Sequence, residues 1–243
     1  MLLNEAKWFG RRLNELPSAD LFPMLNIGSH SADFRKLGQP WIDRQVFSRL
    51  RERGGDVVHT DIRAEEGVDV VGDLLDPRFR ESLRARKFRS VMFCNVLEHV
   101  SDREGISKVV SEIVETAGLL FVSVPNRFPY HPDPIDTMFR PAVHELAALF
   151  PGTGIVDGEV VACGNLTTYT LGRFLPQPIG FMRRAFQPTG RKSEFETAAP
   201  RGSKAALLPW LVRGFAITCI ILRKLPAVPE QGTEENRLAR CAS

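Results

Sequence analysis

Residues 90–97 read SVMFCNVL and residues 119–124 read LLFVSV. Both are short, nearly unbroken apolar runs rich in β-branched and aromatic residues, the pattern of a strand covered on both faces. Between them, residues 101–116 predict a helix that opens on Ser101 with Glu104 three residues later, a capping box. Strand, helix and strand at this interval make a βαβ unit, which requires parallel strands.

The same alternation extends in both directions. Residues 24–27, 56–61 (DVVHTD) and 68–72 predict strands. Residues 3–16, with Leu3, Trp8, Phe9, Leu13 and Leu16, predict an amphipathic helix; residues 41–53 predict a helix ended by Gly54 and Gly55, and residues 76–86 another. Near the C-terminus, residues 204–212 predict a short helix and residues 215–222 (FAITCIIL) the last strand. The expected fold is therefore α/β: a doubly wound, mostly parallel, seven-stranded Rossmann-like sheet with helices on both faces. Residues 1–226 form one domain in this reading. A stretch at about 165–200 is too long for an ordinary connection and reads as a lid-like insertion, and 227–243 as a flexible tail.

Composition excludes several classes. With 43% hydrophobic and 25% charged residues over 243 positions, the chain is neither disordered nor fibrous. Its four cysteines, Cys94, Cys163, Cys219 and Cys241, are widely spaced, which argues against a zinc site or a disulfide framework and for a reducing, cytoplasmic location. Glu5 and Lys7 interrupt the start of the chain, so no secretory signal is expected. Residues 205–222 are apolar, but Pro209, Arg213 and Gly214 break them, so no transmembrane segment is expected. The net charge of +3 is uneven: residues 1–162 carry 20 Lys and Arg against 24 Asp and Glu, whereas residues 163–224 carry 10 against 2. That basic segment suits an anionic partner or a solvated loop.

In a doubly wound sheet, ligands bind beyond the carboxyl ends of the strands. The first strand ends in Asn26, Ile27, Gly28, Ser29, His30, Ser31 and Ala32. A lone Gly28 allows close backbone approach, but the missing glycines argue against a nicotinamide cofactor. The second strand ends in Asp61, placed to accept from ribose hydroxyls, and the third is followed by Gly72 and Asp73. Each aspartate alone would equally suit a cap.

The fourth strand runs into Asn95-Val96-Leu97-Glu98-His99-Val100 and the fifth into Ser123-Val124-Pro125-Asn126. With these residues the sequence resembles the class I methyltransferases that use S-adenosylmethionine (SAM), of the branch with an NVLEHV phrase after the fourth strand, over roughly residues 25–150. The resemblance implies that Asn26, Gly28 and Ser29 line the methionine part of SAM. It further implies that Asp61 with Ile62 takes the ribose, that Asp73 and Leu74 face the adenine, and that Asn95 lies beside the sulfonium. The family's acidic, glycine-rich loop is here replaced by Asn26, Gly28, His30 and Ala32.

Beyond the fifth strand come His131, Pro132, Asp133, Pro134 and Asp136 on a stiffened loop, then Pro141, which suits the first turn of a helix carrying His144. Methyl transfer to a hydroxyl needs a base or a metal ion to remove the proton. His144, His131 and Asp136 are the expected catalytic groups, and Asp133 with Asp136 the expected ligands of Mg²⁺. The expected reaction is O-methylation of a sugar, glycan or glycosylated metabolite. An N- or C-methyltransferase acting on a small metabolite, and a SAM-fold binding protein without catalysis, are the alternatives. A saccharide or other small-molecule acceptor is the expected partner. No NPPY-like stretch points to nucleic-acid bases, and a homo-oligomer is compatible with the sequence.

Overall fold

The computed structural model describes residues 1–131, 135–174 and 204–226. Seven strands form one sheet: β1 (Met24–Ile27), β2 (Val57–Asp61), β3 (Val70–Val71), β4 (Phe88–Cys94), β5 (Val114–Arg127), β6 (Thr153–Ala162) and β7 (Ala216–Lys224), in the order β3-β2-β1-β4-β5-β7-β6. β1 pairs in parallel with β2 and β4, and β4 with β5. β7 runs antiparallel between β5 and β6. The doubly wound, mostly parallel sheet expected from the sequence is thus present, with residues 215–222 pairing in its interior.

Side-chain alternation divides the core into two layers. Met24, Met92, Phe121 and Cys219 face one side, against α1 (Leu3–Glu15) and the helical run of α3 (Pro40–Ile42), a π-helical turn (Asp43–Phe47) and α4 (Ser48–Glu52). Leu25, Val91, Phe93 and Ile220 face the other, against α5 (Pro77–Arg84), α6 (Arg103–Ile113) and α7 (Val143–Ala148). Each fully buried side chain of this kind contributes about 1.5–3 kcal/mol. Among the described residues the remaining helices are α2 (Ser18–Leu21), α8 (Leu166–Phe174), a π-helical turn at Phe34–Gly38 and a 3₁₀ helix at Lys204–Leu211.

Three local expectations are corrected, and one strand had not been located. Asp102, not Ser101, caps α6, its carboxylate accepting from Gly105 N at 2.9 Å. α6 stops at Ile113, because β5 begins at Val114 and pairs with Phe88 before a register shift. β4 ends at Cys94, where Asn95 takes a left-handed φ of 55° and Leu97–His99 turn as a 3₁₀ helix. β6 had no apolar signature: as an edge strand with one neighbour it tolerates Asp157, Gly158 and Glu159, and Trp8 Nε1 donates to Glu159 at 2.8 Å.

The first part of the expected insertion is α8; 175–203 and the expected tail 227–243 lie outside the described residues. Among the described residues, no helix is long and apolar enough to cross a membrane.

Candidate active site

Because β2 and β4 flank β1 in register, with Ile27 opposite both Thr60 and Phe93, the segments that follow them meet at one edge of the sheet. There they enclose a cleft of about 350 Å³, within the range of small-molecule sites. Asn26, Gly28, Ser29, Asp61, Ile62, Asn95 and His131 all line it. Asp73 does not: it is exposed and its carboxylate accepts from Leu75 N at 2.8 Å. Leu74 packs against the core instead.

Gly28 has a φ of +67°, and a Cβ there would stand 2.7 Å from Val96 Cγ2, so glycine is required. The loop after it lacks further glycines and is braced from outside. The buried Arg35 guanidinium donates to the carbonyls of Ser29 (2.9 Å), His30 and Gly67 (2.8 Å). Asp61 completes the brace: Oδ2 accepts from His30 N at 2.9 Å and Oδ1 from Arg63 N at 3.1 Å. A carboxylate oxygen has two acceptor sites, so each retains one for a ligand diol. Asn26 Nδ2 lies 3.0 Å from His59 Nδ1, and burial lowers the His59 pKa to about 4, fixing that imidazole as a neutral acceptor.

Two buried carboxyl groups that the sequence did not announce also line the cleft. Glu5, fully buried at the start of α1, accepts from Leu2 N (2.7 Å), Asn95 Nδ2 (2.8 Å) and Ser123 Oγ (2.6 Å). Glu98 is equally buried, and burial, opposed by the Arg140 charge, pushes its pKa up to about 8. Cys94 also lines the cleft, but burial reinforced by Glu5 raises its thiol far above the ordinary value, so it is no nucleophile.

The loop after β5 is organised around Asp136, whose side chain is wholly covered. Its oxygens accept from Arg140 Nη1 (3.1 Å) and Nη2 (2.6 Å), His131 N (3.0 Å) and Met138 N (2.8 Å). Burial raises its pKa, but these donors outweigh burial and hold it below the usual carboxylate value. Asp136 is therefore a used-up anchor, which corrects its expected part as a base or Mg²⁺ ligand. Asp133 lies outside the described residues. His131 is brought to the cleft, and burial lowers its pKa to about 4 against the pull of Asp136. His144 is exposed on α7 and is not among the residues lining the cleft.

Sequence reasoning gave Glu5, Glu98, His99 and Arg140 no functional role. Two adjacent donor residues, Glu98 and His99, directly after a central strand were the available signal.

No protein-family model matches the chain. No curated protein matches it by sequence. Among solved structures it is similar to coclaurine N-methyltransferase bound to N-methylheliamine and S-adenosylhomocysteine (SAH), with a TM-score of 0.51 and 13% identity, covering 90% of this chain and 71% of that one. It is also similar to a SAM-dependent methyltransferase from Archaeoglobus fulgidus, with a TM-score of 0.45 and 14% identity over 90% and 94% of the two chains. The sheet order and this likeness give the chain the Rossmann-like fold of the SAM-dependent methyltransferases.

Proposed function

We propose that this chain is a SAM-dependent methyltransferase acting on a hydroxyl of a small-molecule acceptor. The observation that carries the reading is the convergence of Gly28, Asp61 and Asn95, from three different strand ends, on one cleft of about 350 Å³. The residues fit the cofactor. Gly28 leaves the backbone open to close approach, Asp61 keeps acceptor capacity for two ribose hydroxyls, and the Glu5 carboxylate among the lining residues favours a sulfonium. When bound, SAM supplies an activated methyl group on that sulfonium.

The chain's own part is to hold the acceptor in line with the methyl group and to let the hydroxyl proton leave, since positioning supplies most of the acceleration in such a displacement. A hydroxyl acceptor is favoured over an amine by the imidazoles of His99 and His131, which line the cleft beside Glu98. A neutral His131 has a ring lone pair that can bind a cation. The saccharide expectation rested partly on Asp136, whose carboxylate is taken, so the acceptor is proposed only as a hydroxyl-bearing small molecule. Calorimetry with SAH tests the reading: one site per chain at micromolar affinity is expected, and no heat at millimolar SAH would overturn it. Turnover of labelled SAM against alcohol and amine acceptor sets then separates O- from N-methylation.

A further inference from the structure

Glu98 is fully buried, yet neither of its carboxylate oxygens has a hydrogen-bond partner among the described residues. Ionising a carboxyl group in such a place is strongly unfavourable unless something positive meets it. Beside it stand two imidazoles. One donor atom from each of Glu98, His99 and His131 lies within 4.8 Å of the others; His99 Nε2 is 3.8 Å from Glu98 Oε1, and the two rings meet edge to face at 5.1 Å.

Both rings are oriented by acceptors on their far side. His99 Nδ1 faces the Ile135 carbonyl. His131 Nδ1 lies 3.2 Å from the Pro129 carbonyl and 3.1 Å from Asp136 Oδ2. A carbonyl can only accept, so each Nδ1 carries a proton and Nε2 is the nitrogen left to bind a cation. Metal-binding histidines are fixed in the same manner, with the second nitrogen donating to a carbonyl or carboxylate. Asp136 is itself clamped by Arg140, which makes it an orienting group behind His131.

We propose that Glu98, His99 and His131 form a divalent-cation site in the lining of the cleft, ligating through the Glu98 carboxylate and the two Nε2 atoms, with its open positions toward the acceptor. Two nitrogens and one oxygen suit Mn²⁺, Fe²⁺, Co²⁺ or Zn²⁺ better than Mg²⁺ or Ca²⁺, which take oxygen ligands. Donors about 2.1 Å from one ion are at most about 4.2 Å apart, so binding draws the three side chains slightly together. Cation binding stands on the cluster itself, whereas its part in catalysis rests on the methyltransferase reading. There the cation lowers the pKa of the acceptor hydroxyl, whose proton leaves to water. The oxygen forms a bond to the methyl carbon as the carbon–sulfur bond breaks, its electron pair staying on sulfur and the sulfonium becoming the thioether of SAH.

The test uses the full chain, stripped with chelator and titrated with Co²⁺ or Zn²⁺ alone. One Co²⁺ per chain with visible ligand-field absorption is expected, weakened at least about 30-fold in Glu98→Gln and in His131→Gln, and unchanged in His144→Ala. Circular dichroism and SAH binding check that each variant folds, and Glu98→Gln keeps the side-chain shape should His131→Gln fail. Wild-type chain that binds SAH but shows no cobalt spectrum at millimolar Co²⁺ overturns the site and leaves the methyltransferase reading intact. Cobalt binding without SAH binding does the reverse. Binding undiminished in a folded Glu98→Gln or His131→Gln variant overturns the proposed ligand set.

Discussion

Glu5 Oε1 accepts from Asn95 Nδ2 at 2.8 Å, tying the first turn of α1 to the left-handed residue that follows β4. The same oxygen holds Ser123 Oγ, and Oε2 holds Leu2 N, so one buried carboxylate joins the N-terminus to two central strands. Glu5→Ala strands Asn95 and Ser123, and an unsatisfied buried polar group costs about 1–3 kcal/mol each. Urea unfolding should show a loss of at least about 2 kcal/mol. SAH affinity should fall as well, because Asn95 loses its orientation. Stability within about 0.5 kcal/mol of wild type would mean that α1 is not anchored through this group.

Asp61→Ala should weaken SAH binding by about 1–3 kcal/mol, a factor of roughly 5 to 150, by removing the acceptor for two hydroxyls. Part of that loss has an indirect route, since Asp61 also holds His30 N. Arg35→Ala separates the two. It releases the loop carbonyls of Ser29, His30 and Gly67 while sparing the Asp61 carboxylate. Calorimetry that finds both variants at wild-type affinity would place the ribose elsewhere.

The central sheet was legible because a parallel strand covered on both faces needs a continuous apolar run, which 90–97 and 119–124 supply. β6 was illegible for the opposite reason: Gly154, Asp157 and Gly158 on an edge strand leave no such run. In the site, Gly28, Asp61 and Asn95 follow directly from strand ends, so topology alone located them. Glu5 could not be found in this way, because its partners Asn95 and Ser123 lie 90 and 118 residues away. Asp136 was misread because an acidic residue in a proline-rich loop looks available, and only the fold shows that Arg140 and two amides occupy it.

His59 gives the molecule a defined acid sensitivity. Its folded pKa is near 4 and its ordinary value is 6.5, so between these values the unfolded chain binds more protons. Stability therefore rises with pH across that window and is lost as pH falls through it, by at most about 1.4 kcal/mol per pH unit. His59→Gln should flatten the slope of unfolding free energy between pH 4 and 6.5 by up to that amount. The variant will also lower stability at pH 7, since Asn26 Nδ2 loses its acceptor. An unchanged slope, measured by urea midpoints over this range, would show that His59 titrates normally in the folded chain.

His144 and His131 make opposite predictions although both were expected catalytic groups. His144 is exposed on α7 outside the cleft, so His144→Ala should leave SAH affinity, kcat and stability within about twofold of wild type, as surface substitutions usually do. His131 lines the cleft with its Nδ1 fixed by the Pro129 carbonyl and Asp136. His131→Gln should lower kcat by a factor of about 10² to 10⁴ with little change in SAH affinity, because the lost group serves the acceptor rather than the cofactor. Single-turnover rates and SAH calorimetry on the two variants check both statements together. A collapse of kcat in His144→Ala with His131→Gln fully active would reverse the assignment and bring α7 over the cleft during turnover.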